Sequence, residues 1–202
     1  METLYIRDCQ QLEASAPRTL DLELLNCGKL QLDYATVKWL KMGGRNMETS
    51  LVEIVGSDTC QHLESNNYCV SLLTFPLDLF PTLRTLDLSW FDNLEMISQC
   101  LIHNHLERLE SISCPKLELL PGNMHMLLPS LRRICIEDCP RLESFPSNLN
   151  EMRLKNCSRL VGSLKGAFAD SSSLKNLWID KVDAKCFPEE GLLPVSLTSH
   201  HL

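Results

Sequence analysis

One apolar template returns along almost the whole chain: L-x-x-L-x-L-x-x-C/N-x-x-L. It is met as METLYIRDCQQL (Met1–Leu12), TLDLELLNCGKL (Thr19–Leu30), VKWLKMGG (Val37–Gly44) and LRTLDLSWFDNL (Leu83–Leu94). It continues as LERLESISCPKL (Leu106–Leu117), LRRICIEDCPRL (Leu131–Leu142), LNEMRLKNCSRL (Leu149–Leu160) and LKNLWIDKVDAK (Leu174–Lys185), and LTSHHL (Leu197–Leu202) opens one more copy. A degenerate copy, LESNNYCVSLLTFP (Leu63–Pro76), sets Cys69 one residue too far from Leu63. Such a repeat constrains the fold more than any local propensity. A unit too small to bury its own apolar side must stack on its neighbours, and the stack then shares one continuous core.

Within L-x-x-L-x-L the last two apolar positions alternate at period two, so they point to one side of a short strand while their neighbours point to the other. The Cys-equivalent positions are 9, 27, 45, 69, 91, 114, 139, 157 and 182, with steps of 18 to 25 residues. Nine units at one strand each predict a parallel sheet about 40 Å long. The return segments LELLP (Leu117–Pro121), LESFP (Leu142–Pro146) and AKCFP (Ala184–Pro188) carry prolines that favour extended or turning backbone. Two stretches, 95–109 and 160–174, have apolar spacing that fits short helices. In the unit at Leu106, Ser111 stands where an apolar residue belongs and Ile112 comes one place late, which predicts a local bulge or a shifted register.

The ten cysteines of this 202-residue chain are too dilute for a disulfide scaffold. Cys9, Cys27, Cys114, Cys139 and Cys157 share one repeat position, where the chain leaves the strand. A small thiol fits inside that turn and donates weakly to backbone carbonyls. No C-x-x-C pair occurs, so zinc-ribbon spacing is absent. Cys100, His103 and His105 in CLIHNH are the nearest approach to a ligand set, and a solvent-facing loop is their ordinary reading. Neither G-x-x-x-x-G-K-[ST] nor G-x-S-x-G is found, and no local pair joins a Ser or Cys to a His. These observations point away from an enzyme, a bound cofactor or a metal in this chain.

The formal net charge of −7 opposes an electrostatic grip on nucleic acid or anionic lipid. The imbalance lies in residues 1–100, which hold 7 Lys/Arg against 14 Asp/Glu, whereas residues 101–202 hold 12 of each. No apolar run is long enough to span a bilayer, and the first residues lack a signal-peptide layout, so a cytoplasmic location is expected.

The side chains between the inward positions can be read as columns across the sheet. The central column runs Tyr5, Glu23, Lys41, Asp87, Glu110, Cys135, Arg153 and Trp178. Opposite charges fall side by side, as in Arg133 beside Glu151 and Lys155 between Glu137 and Asp180; each such surface pair contributes little. Neutralisation does not explain large rings aimed outward. Tyr5, Trp39, Arg108, Arg133, Arg153, Lys155 and Trp178 are therefore the candidate partner-binding residues on the concave face.

The tandem template resembles the leucine-rich repeats. The signature C-P-x-L-E-x-x-P, seen as CPKLELLP (Cys114–Pro121) and CPRLESFP (Cys139–Pro146), and the tail CFPEEGLLPVSLTSHHL (Cys186–Leu202) resemble the C-terminal repeats of plant coiled-coil, nucleotide-binding (NB-ARC) disease-resistance proteins. The resemblance implies an α/β leucine-rich-repeat solenoid: a curved horseshoe with a parallel concave sheet and mostly irregular or short-helical convex segments. It implies a single domain over 1–202 of about nine irregular repeats, a fragment cut within a repeat at both ends. The implied function is recognition of a pathogen effector or a guarded host protein and restraint, in cis, of an upstream nucleotide-binding switch domain, which would hold the nucleotide. Substrate-binding repeats of an F-box ubiquitin-ligase adaptor are the chief alternative, disfavoured by the L-E-x-x-P return. A secreted leucine-rich receptor would carry N-x-L-x-G-x-I-P returns, which are missing.

Overall fold

The computed structural model describes residues 3–9, 19–27, 36–44, 58–67, 72–143, 149–160, 173–181 and 196–201. Each template copy becomes a strand: β1 (Thr3–Arg7), β2 (Asp21–Leu25), β3 (Trp39–Gly44) and β4 (His62–Asn67) come first. Two short strands, β5 (Thr74–Pro76) and β7 (Met96–Ser98), flank β6 (Thr85–Ser89). Then follow β8 (Arg108–Ile112), β9 (Arg133–Glu137), β10 (Glu151–Lys155), β11 (Asn176–Asp180) and β12 (Ser199–His201). Ten of these form one parallel sheet in the order β1-β2-β3-β4-β6-β8-β9-β10-β11-β12. The order follows the chain, so every repeat pairs with the next.

The register shows why the repeat folds this way. Leu22, Leu40, Leu63, Leu86, Leu109, Ile134, Met152 and Leu177 stand directly opposite one another from strand to strand. All eight are buried, as are Leu83, Leu106, Leu131, Leu149 and Leu174 at the head of their units. Burying one such side chain stabilises the fold by about 1.5–3 kcal/mol. The stacked columns thus supply the core that no single unit could form.

The second inward column runs Ile6, Leu24, Met42, Ser65, Leu88, Ser111, Ile136, Leu154 and Ile179. Ser111 therefore points inward in unbroken register, Leu88 on one side and Ile136 on the other, and no bulge forms. The expected bulge is corrected by a side-chain partner: the Ser111 hydroxyl lies 3.7 Å from the Cys139 thiol, which lets a polar group stay in the core. Ser65, equally buried, has no hydrogen-bond partner for its hydroxyl among the described residues.

At the end of eight of the described strands one residue takes a positive φ. Asp8, Asn26, Trp90, Ser113, Asp138, Asn156 and Lys181 all have φ between 52° and 59°, and Gly44 has φ 129°. Asp and Asn tolerate this conformation best among residues with a side chain. Their side chains also pair across repeats, Asn26 Nδ2 donating to Asp8 at 3.0 Å and Asn156 Nδ2 to Asp138 at 2.9 Å. At Gly44 an added Cβ would stand 2.2 Å from the Asn26 side-chain oxygen, so glycine is required there.

The cysteine follows immediately and points back under the sheet. Cys27 donates to Ile6 O at 3.4 Å and Leu25 O at 3.3 Å, and Cys157 to Ile136 O at 3.4 Å and Lys155 O at 3.1 Å. Each thiol thus touches the carbonyl of its own strand and that of the strand before. In the C-P-x-L units a β-turn comes next: Leu117 N donates to Cys114 O at 3.1 Å and Leu142 N to Cys139 O at 3.4 Å. Proline at the second position presets the φ that turn needs.

The return path holds a second ladder. β5 pairs in parallel with β7, and Met96 bridges to Leu119, so LELLP is extended as its proline implies. The helix expected over 95–109 is replaced by β7 and an irregular segment, while a four-residue helix, α1 (Met124–Leu127), occurs further on. The stretch 160–174, LESFP, AKCFP and Cys69 fall wholly or partly outside the described residues. No helix among the described residues is long and apolar enough to cross a membrane.

Candidate interaction face

Alternation along each strand leaves three outward columns. The central one runs Tyr5, Glu23, Lys41, Glu64, Asp87, Glu110, Cys135, Arg153 and Trp178. The preceding column runs Thr3, Asp21, Trp39, His62, Thr85, Arg108, Arg133, Glu151 and Asn176. All seven sequence-derived candidates, Tyr5, Trp39, Arg108, Arg133, Arg153, Lys155 and Trp178, lie on this face. They do not form one patch. Tyr5 and Trp39 are two strands apart, about 10 Å, whereas Trp39 and Trp178 are six strands apart, about 29 Å.

The basic candidates are engaged. Arg133 pairs with Glu151 at 3.2 Å; Arg153 and Lys155 both reach Glu137, at 3.7 and 3.5 Å. Arg108 Nε donates to Glu110 at 2.9 Å, and this bond raises the guanidinium further above its ordinary value. These charges form a solvated lattice over β8 to β10 rather than a row of cations awaiting an anion.

The degenerate copy hid two residues of this face. Its strand begins from Cys60, which occupies the buried head-of-unit position usually held by leucine, and so places His62 and Glu64 outward. Glu64 pairs with Lys41 at 2.7 Å, and His62 Nδ1 lies 2.7 Å from the Thr85 hydroxyl. The signal was C-x-x-L-x-S, a polar variant of the template with cysteine for the first leucine. Glu64, Asp87 and Glu110 consequently stand opposite one another on β4, β6 and β8.

Burial, with Ser89 opposing and Glu110 and Glu64 adding to it, raises the Asp87 carboxyl above its ordinary 3.8. A shallow depression of about 570 Å³ opens over this row, lined by Trp39, His62, Glu64, Asp87, Arg108 and Glu110 among others.

Cys60, Cys135 and Cys139 are poor nucleophiles, whereas the hydrogen bond with Cys139 lowers the buried Cys114 thiol to about 7. Burial pushes Cys60 up to about 12, and burial with the Glu110 and Glu137 charges pushes Cys135 up to about 12. The hydrogen bond with Cys114, and then burial, raise Cys139 as well. A thiol that stays protonated neither attacks nor ligates. No group of three metal-ligating side chains gathers among the described residues.

His103 does not lie in a solvent-facing loop as its sequence neighbours suggest. It is buried, its Nε2–H donates to Phe80 O at 2.8 Å, and its Nδ1 accepts from Leu106 N at 3.2 Å. The imidazole replaces a backbone turn and ties two repeats together, whereas Cys100 and His105 are exposed.

No family model matches the chain, and no solved structure matches it. Among curated proteins it is similar to one from Arabidopsis thaliana described as "Putative disease resistance protein", at 29% identity over 236 residues and 98% of this chain. The chain spans 14% of that relative's length. The similarity supports a relationship with plant disease resistance proteins and a defence-related role.

Proposed function

We propose that this chain is the leucine-rich-repeat recognition module of an intracellular plant immune receptor of the coiled-coil, nucleotide-binding type. On this reading the parallel sheet is the inner surface of a curved solenoid, and its outward side chains meet a pathogen effector or a guarded host protein. The same repeats restrain, in cis, a nucleotide-binding switch domain that holds the nucleotide. The chain itself binds and does not catalyse, and it works in the cytoplasm.

The observation that carries this reading is the similarity to a resistance protein over 98% of the chain. The physical support is the face itself, where Tyr5, Trp39 and Trp178 remain 63%, 46% and 37% exposed on rigid strands. Recognition can shift a switch only as far as the partner prefers one state of the receptor. A rigid sheet coupled repeat to repeat is suited to reporting such a preference.

The coding sequence upstream of Met1 tests the assignment. A nucleotide-binding domain with a Gly-rich phosphate loop is expected there, and an F-box would overturn it.

A further inference from the structure

Three features coincide on the β4–β6–β8 part of the outward face. Glu64, Asp87 and Glu110 face one another across adjacent strands, and like charges directly opposite destabilise a sheet. The outer two have cations, Lys41 for Glu64 and Arg108 for Glu110, but Asp87 makes no ion pair among the described residues. Its partner is the Ser89 hydroxyl at 2.9 Å. The second feature is burial: Asp87 is half-covered, and burial, with the Glu110 and Glu64 charges adding to it, disfavours the charged carboxylate. Third, the exposed indole of Trp39 lines the same depression as Asp87.

A cation brought to Asp87 would relieve the like-charge row, and an aromatic face beside it would hold that cation further. An acidic partner is excluded by the same row. A bare metal ion is a poor fit, because the outer carboxylates are already committed to Lys41 and Arg108.

We propose that this depression docks a lysine or arginine side chain of a partner protein, the cation pairing with Asp87 and the side-chain stem lying along Trp39. The proposal rests on the reading that the outward face recognises proteins, and it names the chemistry of what is recognised. It also moves the expected contact from the basic residues of β9 and β10 to the acidic row two strands away.

The test is the affinity of the 202-residue chain for a fluorescein-labelled hexa-arginine peptide, measured by anisotropy, with hexaglutamate and spermine as comparison probes. Asp87→Asn is isosteric and removes a disfavoured charge, so folding is retained. It should weaken hexa-arginine binding about tenfold, the scale of one desolvated charge pair. Asp180→Asn, which removes the same charge on β11, should leave affinity within about twofold, as expected for a rim charge. Trp39→Ala should weaken binding by a smaller factor. Equal losses for Asp87→Asn and Asp180→Asn, or no loss for Asp87→Asn, would overturn the proposal. So would spermine binding that depends on Asp87 more strongly than peptide binding does. None of these outcomes touches the recognition reading, which stands or falls on the upstream domain.

Discussion

Two neighbouring parts of the same sheet handle the repeat differently. Across β9, β10 and β11 the inward column is Ile136, Leu154 and Ile179, and outward charges alternate in sign so that Arg133 meets Glu151 and Lys155 meets Glu137. Across β4, β6 and β8 the inward column is Ser65, Leu88 and Ser111, the outward one is Glu64, Asp87 and Glu110, and Trp90 occupies a left-handed turn. The first part satisfies the template on both faces. The second departs from it on both faces and at the turn, and each departure carries an energetic cost that stacking on good neighbours offsets. In a stack whose stability is a sum of repeats and interfaces, a costly unit is tolerated between good ones. Strain retained in such a place is grounds for a functional hypothesis.

The largest effect is expected in the well-packed part. Ile136→Ala should destabilise the chain by about 2–5 kcal/mol, since a full side chain leaves a tightly filled column. A loss under about 1 kcal/mol, measured by urea unfolding, would mean that this column is no better packed than its neighbour.

Smaller effects, of opposite sign, are expected in the other part. Trp90→Asn should stabilise by about 1 kcal/mol, because asparagine adopts the left-handed turn at lower cost than an indole-bearing residue. Ser65→Ala should also stabilise by about 1 kcal/mol by deleting a buried hydroxyl that has no partner among the described residues. Ser111→Ala should be closer to neutral, as that hydroxyl has the Cys139 thiol. Equal responses at Ser65 and Ser111 would break the distinction between them.

The smallest effect is electrostatic and depends on pH. Because the folded state raises the Asp87 carboxyl above its ordinary 3.8, the folded chain takes up that proton more readily than the unfolded one. Stability from this group therefore rises as pH falls through the folded value and levels off near 3.8. Asp87→Asn should melt above the parent at pH 7, and the gap should close as pH falls toward 3.8. A gap that widens on acidification would mean that Asp87 is stabilised as an anion.

The leucine positions were legible because period-two alternation and stacking leave little choice for L-x-L. The cysteines were legible by their shared place after the strand. Ser111 misled because a polar inward residue reads as a register shift until its partner, Cys139, is known from the next repeat. The helix expected over 95–109 failed because spacing alone cannot show that His103 anchors Phe80 and Leu106. The left-handed residue had a signal in Asp8, Asn26, Asp138 and Asn156, each directly before its cysteine, but a search for apolar positions passes over it. Of the outward face, the columns were readable wherever the template was, and Glu64 was lost only because its unit opens with Cys60. Which charges are already paired is a property of side-chain geometry across strands. This is why the basic candidates stood out in sequence while the row centred on Asp87 did not.

The β4–β6–β8 part departs from the template at a cost to stability. The urea midpoint of the Ser65→Ala/Trp90→Asn double variant tests it most directly. Ser65 is buried inside β4 and Trp90 is exposed in the turn after β6, so their gains should add to about 2 kcal/mol and raise the midpoint with the slope unchanged. A midpoint at or below that of the parent would mean that these residues are among those that hold the sheet together and that the departures cost nothing.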